Sequence, residues 1–238
     1  YGEGDVQWMT AGAGIQHTEM FPLLSQEQEN PLELFQIWLN LPKKDKFVDP
    51  YYTMFWNEDI PTVSFPDAQE KITDVTLIAG TLDAQHGPAP PPDSWAADAD
   101  NEVAIWLIRM PAGATWEVPK PSGEALRTLY FYEGDSLQVN GETVPAYQAI
   151  HLESEPSVEL INGEEEALLL YLQGRPIRET VVQYGPFVMN SREEIQQAFA
   201  DYRETQFGGW PWPRPDQVHD RKKGRFAKYA DGHTEVKE

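Results

Sequence analysis

His17 and Glu19 are the residues whose types and spacing could hold a metal ion. In an extended segment the period of two puts both side chains on one face, with Cα atoms about 6.6 Å apart. An imidazole and a carboxylate converging from that distance suit Fe, Zn, Mn or Ni. Open positions on such an ion suit non-haem iron oxygen chemistry. A surface His beside a surface Glu is common, so His-x-Glu alone is a weak signal. The glycines ahead of it add context. Gly12 and Gly14 permit a tight turn just before His17, as a ligand-bearing strand entering a barrel mouth requires.

The other four histidines are read as non-ligands. His86 lies in a Pro-rich loop, and His219 and His233 lie in a charged tail. His151 sits on a strand whose upstream approach is Lys120-Pro121-Ser122, with no His-x-His pair. No Gly-x-Ser-x-Gly elbow, P-loop or dinucleotide-binding glycine fingerprint is present. Glu164-Glu165-Glu166 reads as an exposed turn. Glu193-Glu194 reads as the acidic first turn of a helix, where it favours the dipole.

The elements that must position these residues are mostly strands. Tyr1 to Pro22 reads as turn, short strand, turn, strand. Leu32 to Leu41, LELFQIWLNL, alternates as a strand covered on both sides would. Lys43 to Phe65 reads as loop and short edge segments. Strands are expected at Asp74 to Gly80, Val103 to Met110, Ala125 to Tyr132, Ser136 to Val139, Ala149 to Leu152, Ser157 to Leu160 and Ala167 to Leu172. Asn140-Gly141 is a hairpin signal, because both residues tolerate positive φ. Asn190 with Glu193 reads as a capping box opening a helix, with Ile195, Phe199 and Tyr202 on one face. The tail from Gly208 reads as solvated. Trp8, Met9, Phe35 and Trp38 could line an apolar pocket, but ordinary barrel core is the simpler role.

Composition limits the function classes. The chain has 238 residues and a formal net charge of -21. Such a field repels phosphate backbones, so direct nucleic-acid binding is not expected. The absence of cysteine excludes disulfides, thiolate metal sites and a Cys nucleophile. No apolar run reaches the roughly 18 to 20 residues of a membrane-spanning helix, and no membrane association is expected.

Four segments carry a resemblance to a known family. GDVQWMTAGAGIQHTE, residues 4–19, resembles the signature segment of the pirin family, and QYGPFVMNSREEIQQAF, residues 183–199, resembles its C-terminal segment. LFQIWLNLP and GRFAKYADG are similar again. Within this segment Gly14 and His17 match the Gly-x-x-His of the second cupin motif. The resemblance implies an all-β fold of tandem cupin (double-stranded β-helix) barrels with a short C-terminal helix. Residues 1–66 would form part of an N-terminal metal-binding barrel, 67–185 a metal-free C-terminal barrel, and 186–238 the helix and tail.

The family's metal, commonly iron, is held by three His and one Glu. The matching positions here are His17 and Glu19, and Glu19 would also be the catalytic residue. The implied cofactor is a divalent ion, Fe(II), with two further His ligands expected in a His-x-His pair upstream of Tyr1. The sequence is accordingly expected to be the larger part of a longer chain, binding metal poorly as it stands. Family members include quercetin 2,3-dioxygenases, which implies a small aromatic, flavonol-like substrate and O2. Others resemble this chain but act as non-catalytic, metal-dependent regulators that bind a protein partner. A third alternative keeps the fold after loss of the metal. A cytoplasmic location is expected.

Overall fold

The first strand ends where the glycine turn begins. β1 (Val6–Thr10) pairs antiparallel with β2 (Tyr51–Phe55), Val6 opposite Phe55 and Thr10 opposite Tyr51. The computed structural model describes residues 1–21, 23–216, 218–229 and 231–237, so Pro22 and Glu238, which end two of the segments above, lie outside the described residues, as do Gln217 and Ala230. Two units are distinguished, one made of Tyr1–Asn57 with Ile177–Glu238 and the other of Glu58–Pro176.

The second unit holds most of the strands. They are β3 (Thr62–Pro66), β4 (Ile72–Ala79), β5 (Thr81–Leu82), β6 (Gln85–His86), β7 (Ala104–Met110), β8 (Thr115–Val118) and β9 (Leu126–Glu133). β10 (Ser136–Val139), β11 (Glu142–Pro145), β12 (Gln148–Leu152), β13 (Val158–Asn162) and β14 (Ala167–Gly174) follow. They form a six-stranded sheet in the order β12-β9-β14-β7-β4-β3, a four-stranded sheet in the order β11-β10-β13-β8 and a separate β5-β6 pair. All these pairings are antiparallel.

Alternation explains the sandwich. In β9, Leu129 and Phe131 are buried while Leu126 and Tyr130 are exposed. They pack with Val75, Leu77, Trp106 and Ile108 of one sheet and with Trp116, Leu137 and Leu160 of the other. Burying such side chains contributes about 2 kcal/mol each. Between β10 and β11 the two-residue turn is Asn140-Gly141, both at positive φ, with Val139 opposite Glu142. One buried side chain of β9 is a cation. Arg127 is 2% exposed and donates from Nε and Nη2 to the Glu153 carbonyl, from Nη1 to that of Pro119 and from Nη2 to that of Pro156.

The first unit closes with β15 (Val182–Tyr184) paired to β16 (Phe187–Met189), then α1 (Arg192–Thr205). The capping box is formed by Ser191 and Glu194, one residue beyond the expected Asn190 and Glu193. Both pairs fit the spacing; Ser191 has the extended backbone that a cap requires, and the two reciprocal bonds are made by Ser191 and Glu194. Ile195 and Ala198 are buried, whereas Tyr202 is exposed.

Two expectations fail here. Residues 14–42 form no strand among the described residues, and Leu32, Leu34, Phe35, Ile37 and Trp38 are exposed rather than core. Alternation assigns side chains to faces, but a strand also needs a neighbour to satisfy its backbone, and this segment pairs with none among the described residues. The tail is not merely solvated. β17 (Arg225–Lys228) and β18 (Thr234–Lys237) form a hairpin whose Ala227 packs on Met54 and Trp56. Trp56 Nε1 donates to Glu235 at 3.1 Å, and Arg225 pairs with Asp5 at 2.6 Å. Its charges hid a short alternating strand pair. Among the described residues no helix is long and apolar enough to cross a membrane.

Candidate metal centre

The site is built on the turn that follows β1. Gly14 N–H donates to the Ala11 carbonyl at 2.8 Å, and Ala13 N–H donates to the Val48 carbonyl at 2.9 Å. Gly12 and Gly14 have φ of +51° and +125°, in the region that favours glycine. A Cβ at Gly12 would collide with the Val48 carbonyl oxygen, and one at Gly14 with the Phe207 ring. Phe207 is itself packed on Phe187 and Tyr202, and Gln16 donates its side-chain amide to the Gln206 carbonyl. The end of α1 therefore braces the turn that delivers His17.

Beyond the turn, His17 and Glu19 come together although their segment is not a strand. His17 Nδ1 lies 3.6 Å from Glu19 Oε1, with the side chains 37% and 22% exposed. Two donors each about 2.1 Å from one ion would stand about 3.4 Å apart in a tetrahedral arrangement, close to this separation. Gln7, from β1, joins them: its amide nitrogen is 3.3 Å from Glu19 Oε1 and 3.5 Å from His17 Nδ1. Tyr1 adds a phenol. Its pKa is pushed up to about 12 by burial first and then by the Glu19 carboxylate, which accepts its hydrogen bond.

The donor set fits half of a metal site. One imidazole, one carboxylate and a side-chain amide able to turn its oxygen inward are borderline-to-hard donors suited to Fe or Zn. Among the described residues no group of three His, Cys, Asp or Glu side chains could hold an ion. His86 bonds Thr81, His151 bonds Thr128, His233 bonds Asp231, and the His219 ring packs on Phe226. Gln7 escaped the sequence reading because a polar residue inside a strand reads as solvent-facing. Its register, two residues after Asp5 and on the face that meets the returning loop, was the available signal.

A Trp8–Phe55 ring pair, 5.9 Å apart and edge-on, joins neighbouring positions of β1 and β2. Phe35 and Trp38 are 36% and 55% exposed.

Comparison with known proteins places the chain. The Pirin profile matches residues 1–39, and the profile of the Pirin C-terminal cupin domain matches residues 105–208. A Pseudomonas aeruginosa protein provisionally named a quercetin 2,3-dioxygenase is 35% identical over 207 residues, covering 87% of this chain and 68% of that protein. A pirin-like protein of Caulobacter vibrioides is 34% identical over 206 residues, again covering 87% and 68%. The solved structure of a quercetin 2,3-dioxygenase from Acinetobacter baumannii aligns with a TM-score of 0.66 at 24% identity, over 87% of this chain and 67% of that one. That last likeness is one of fold, and it agrees with an all-β tandem cupin architecture carrying a short C-terminal helix. The chain thus spans about two thirds of the length of these proteins, and on the strength of its two matched segments and its full-span relatives it belongs to the pirin family.

Proposed function

We propose that this chain is a cytoplasmic non-haem metal protein of the quercetin 2,3-dioxygenase type, with His17 and Glu19 as two of its metal ligands. The observation that carries the reading is the 3.6 Å approach of His17 Nδ1 to Glu19 Oε1 on a glycine-built turn. The names borne by relatives at 35% and 38% identity point the same way. Two further imidazoles, which the family pattern puts ahead of Tyr1, would complete the ligand set.

A bound divalent ion, Fe(II) on this donor set, would supply the redox chemistry with O2. The chain's own residues do the rest. His17 binds as the neutral imidazole. Glu19 accepts the proton of the flavonol 3-hydroxyl on a carboxylate oxygen, with the Tyr1 phenol and the Gln7 amide holding that carboxylate in place.

The test is oxygen uptake with quercetin by the iron-loaded protein, expressed with any residues its gene encodes ahead of Tyr1. Turnover that His17→Ala and Glu19→Gln abolish supports the reading. No turnover, with His17→Ala indistinguishable from the parent, sinks it. The second reading, a non-catalytic metal-dependent regulator, draws on the exposed run Leu32, Leu34, Ile37 and Trp38, which offers apolar surface to a protein partner. Metal bound without turnover would favour it.

A further inference from the structure

We propose that the C-terminal hairpin β17–β18 is a clamp that positions Glu19, gripping the β1–β2 ribbon on either side of Gln7. The clamp rests on the metal reading and deepens it, naming what holds that ligand in register. Alternation with a period of two puts Arg225, Ala227 and Tyr229 on one face of the chain, with Phe226 and Lys228 between them. Each of the three meets a different part of the ribbon. Arg225 pairs with Asp5 at 2.6 Å, Ala227 packs on Met54 and Trp56, and the Tyr229 ring stands edge-on 5.0 Å from that of Tyr52.

The same alternation places Gln7 and Met9 on one face of β1, with Asp5 just ahead of them. Met54 stands opposite Gln7 and Tyr52 opposite Met9, so both belong to that face. The grips on Asp5 and Tyr52 therefore fall to either side of Gln7, whose amide nitrogen is 3.3 Å from Glu19 Oε1. A second line leads to the same carboxylate. Tyr1 packs on the cluster of Met54, Trp56 and Ala227, and its phenol donates to Glu19.

Polar ties fix the hairpin's register on the ribbon. The Arg225 and Asp5 side chains are 13% and 0% exposed, so salt screens their attraction little. Asp5 is held from its other side by the N–H groups of Gly2 and Asn57. Glu235, opposite Ala227 on β18, accepts from Trp56 Nε1 at 3.1 Å and from the Tyr229 phenol. His233 stacks on the Tyr229 ring, with centroids 3.9 Å apart. Apolar contact alone is non-directional, and a segment that only covered Met54 and Trp56 would need none of these bonds. A positioning element needs all of them.

Titration with Co(II) tests the clamp, on protein expressed with any residues its gene encodes ahead of Tyr1. The visible bands of the bound ion report its ligand geometry. Tyr229→Leu, and Ala227→Glu at the seat on Met54 and Trp56, should each weaken binding about tenfold and shift the bands at saturating Co(II). Val236→Ala, 61% exposed on the hairpin's other face, should leave affinity within about twofold and the bands unmoved. Thermal melts check folding, and should Ala227→Glu not fold, Tyr229→Leu decides alone. Weaker binding with unshifted bands would mean lost stability only and would overturn the clamp, as would parental affinity in both variants. His17→Ala separates the two readings. If it loses Co(II) while the hairpin variants keep theirs, the clamp alone falls. If it binds as the parent does, the metal reading falls and takes the clamp with it.

Discussion

The amide nitrogen of Gln7 lies 3.3 Å from Glu19 Oε1, so a residue of β1 fixes the carboxylate that follows the glycine turn. Because the same nitrogen is 3.5 Å from His17 Nδ1, Gln7 sets the separation of both donors. Gln7→Leu should keep the fold and lower affinity for Fe(II) or Zn(II) about tenfold, as loss of such supporting contacts does elsewhere. Metal titration of parent and variant measures this. Equal affinities would show that His17 and Glu19 hold their places without it.

Gly14 has φ of +125° and no room for a Cβ against Phe207, whereas a Cβ on Gly2 meets nothing within 4 Å. Gly14→Ala should therefore destabilise the first unit by about 2 kcal/mol, and Gly2→Ala should leave it unchanged. Thermal unfolding of the two variants gives the comparison. A weakened metal affinity in Gly14→Ala would tie the turn to the site.

Acid should loosen the second unit partly through Asp67. Burial pulls its carboxyl pKa upward, but the N–H donors of Lys71, Thr115 and Gln69 and the charge of Lys71 outweigh this and hold it below the usual range. The native carboxyl thus binds a proton less readily than the unfolded one. Its contribution is complete above the ordinary Asp value of about 3.9 and is lost as pH falls through the lower native value. Asp67→Asn should flatten that part of the stability-against-pH curve.

Ser191 accepts from Glu194 N–H at 3.2 Å, and Glu194 Oε2 accepts from Ser191 N–H at 3.1 Å. Ser191→Ala should destabilise α1 by about 1 kcal/mol. Faster amide exchange confined to the first turn would show it. Asn190→Ala, outside the box, should have less effect on that turn.

How much of this was legible in the sequence depended on whether each signal was local. Six of the eight strands from 104 to 174 were readable because they are bounded by turn residues, as at Asn140-Gly141, whereas the four-residue β8 and β11 were not singled out. The helix was found with its cap one residue early, since Asn190 and Ser191 both suit the role and only the hydrogen bonds of the folded chain choose. Leu32–Leu41 misled because alternation carries no information about a hydrogen-bonding neighbour. His17 and Glu19 were identified by type and spacing, and the structure brings them together. Phe207, which holds that turn in place, acts across the fold from a distant part of the sequence, whereas Gln7 lies only ten residues before His17 and was passed over because alternation does not say what a polar strand residue faces.

Arg127 has a consequence for the second sandwich. Its buried guanidinium gathers the carbonyls of Pro119, Glu153 and Pro156. A soluble ion could perform the same organising task, but it would come and go with its concentration. A charge tethered to the backbone does not. Chelators should therefore leave the melting of this half of the molecule unmoved, so that any dependence on metal supply falls on the half that carries His17.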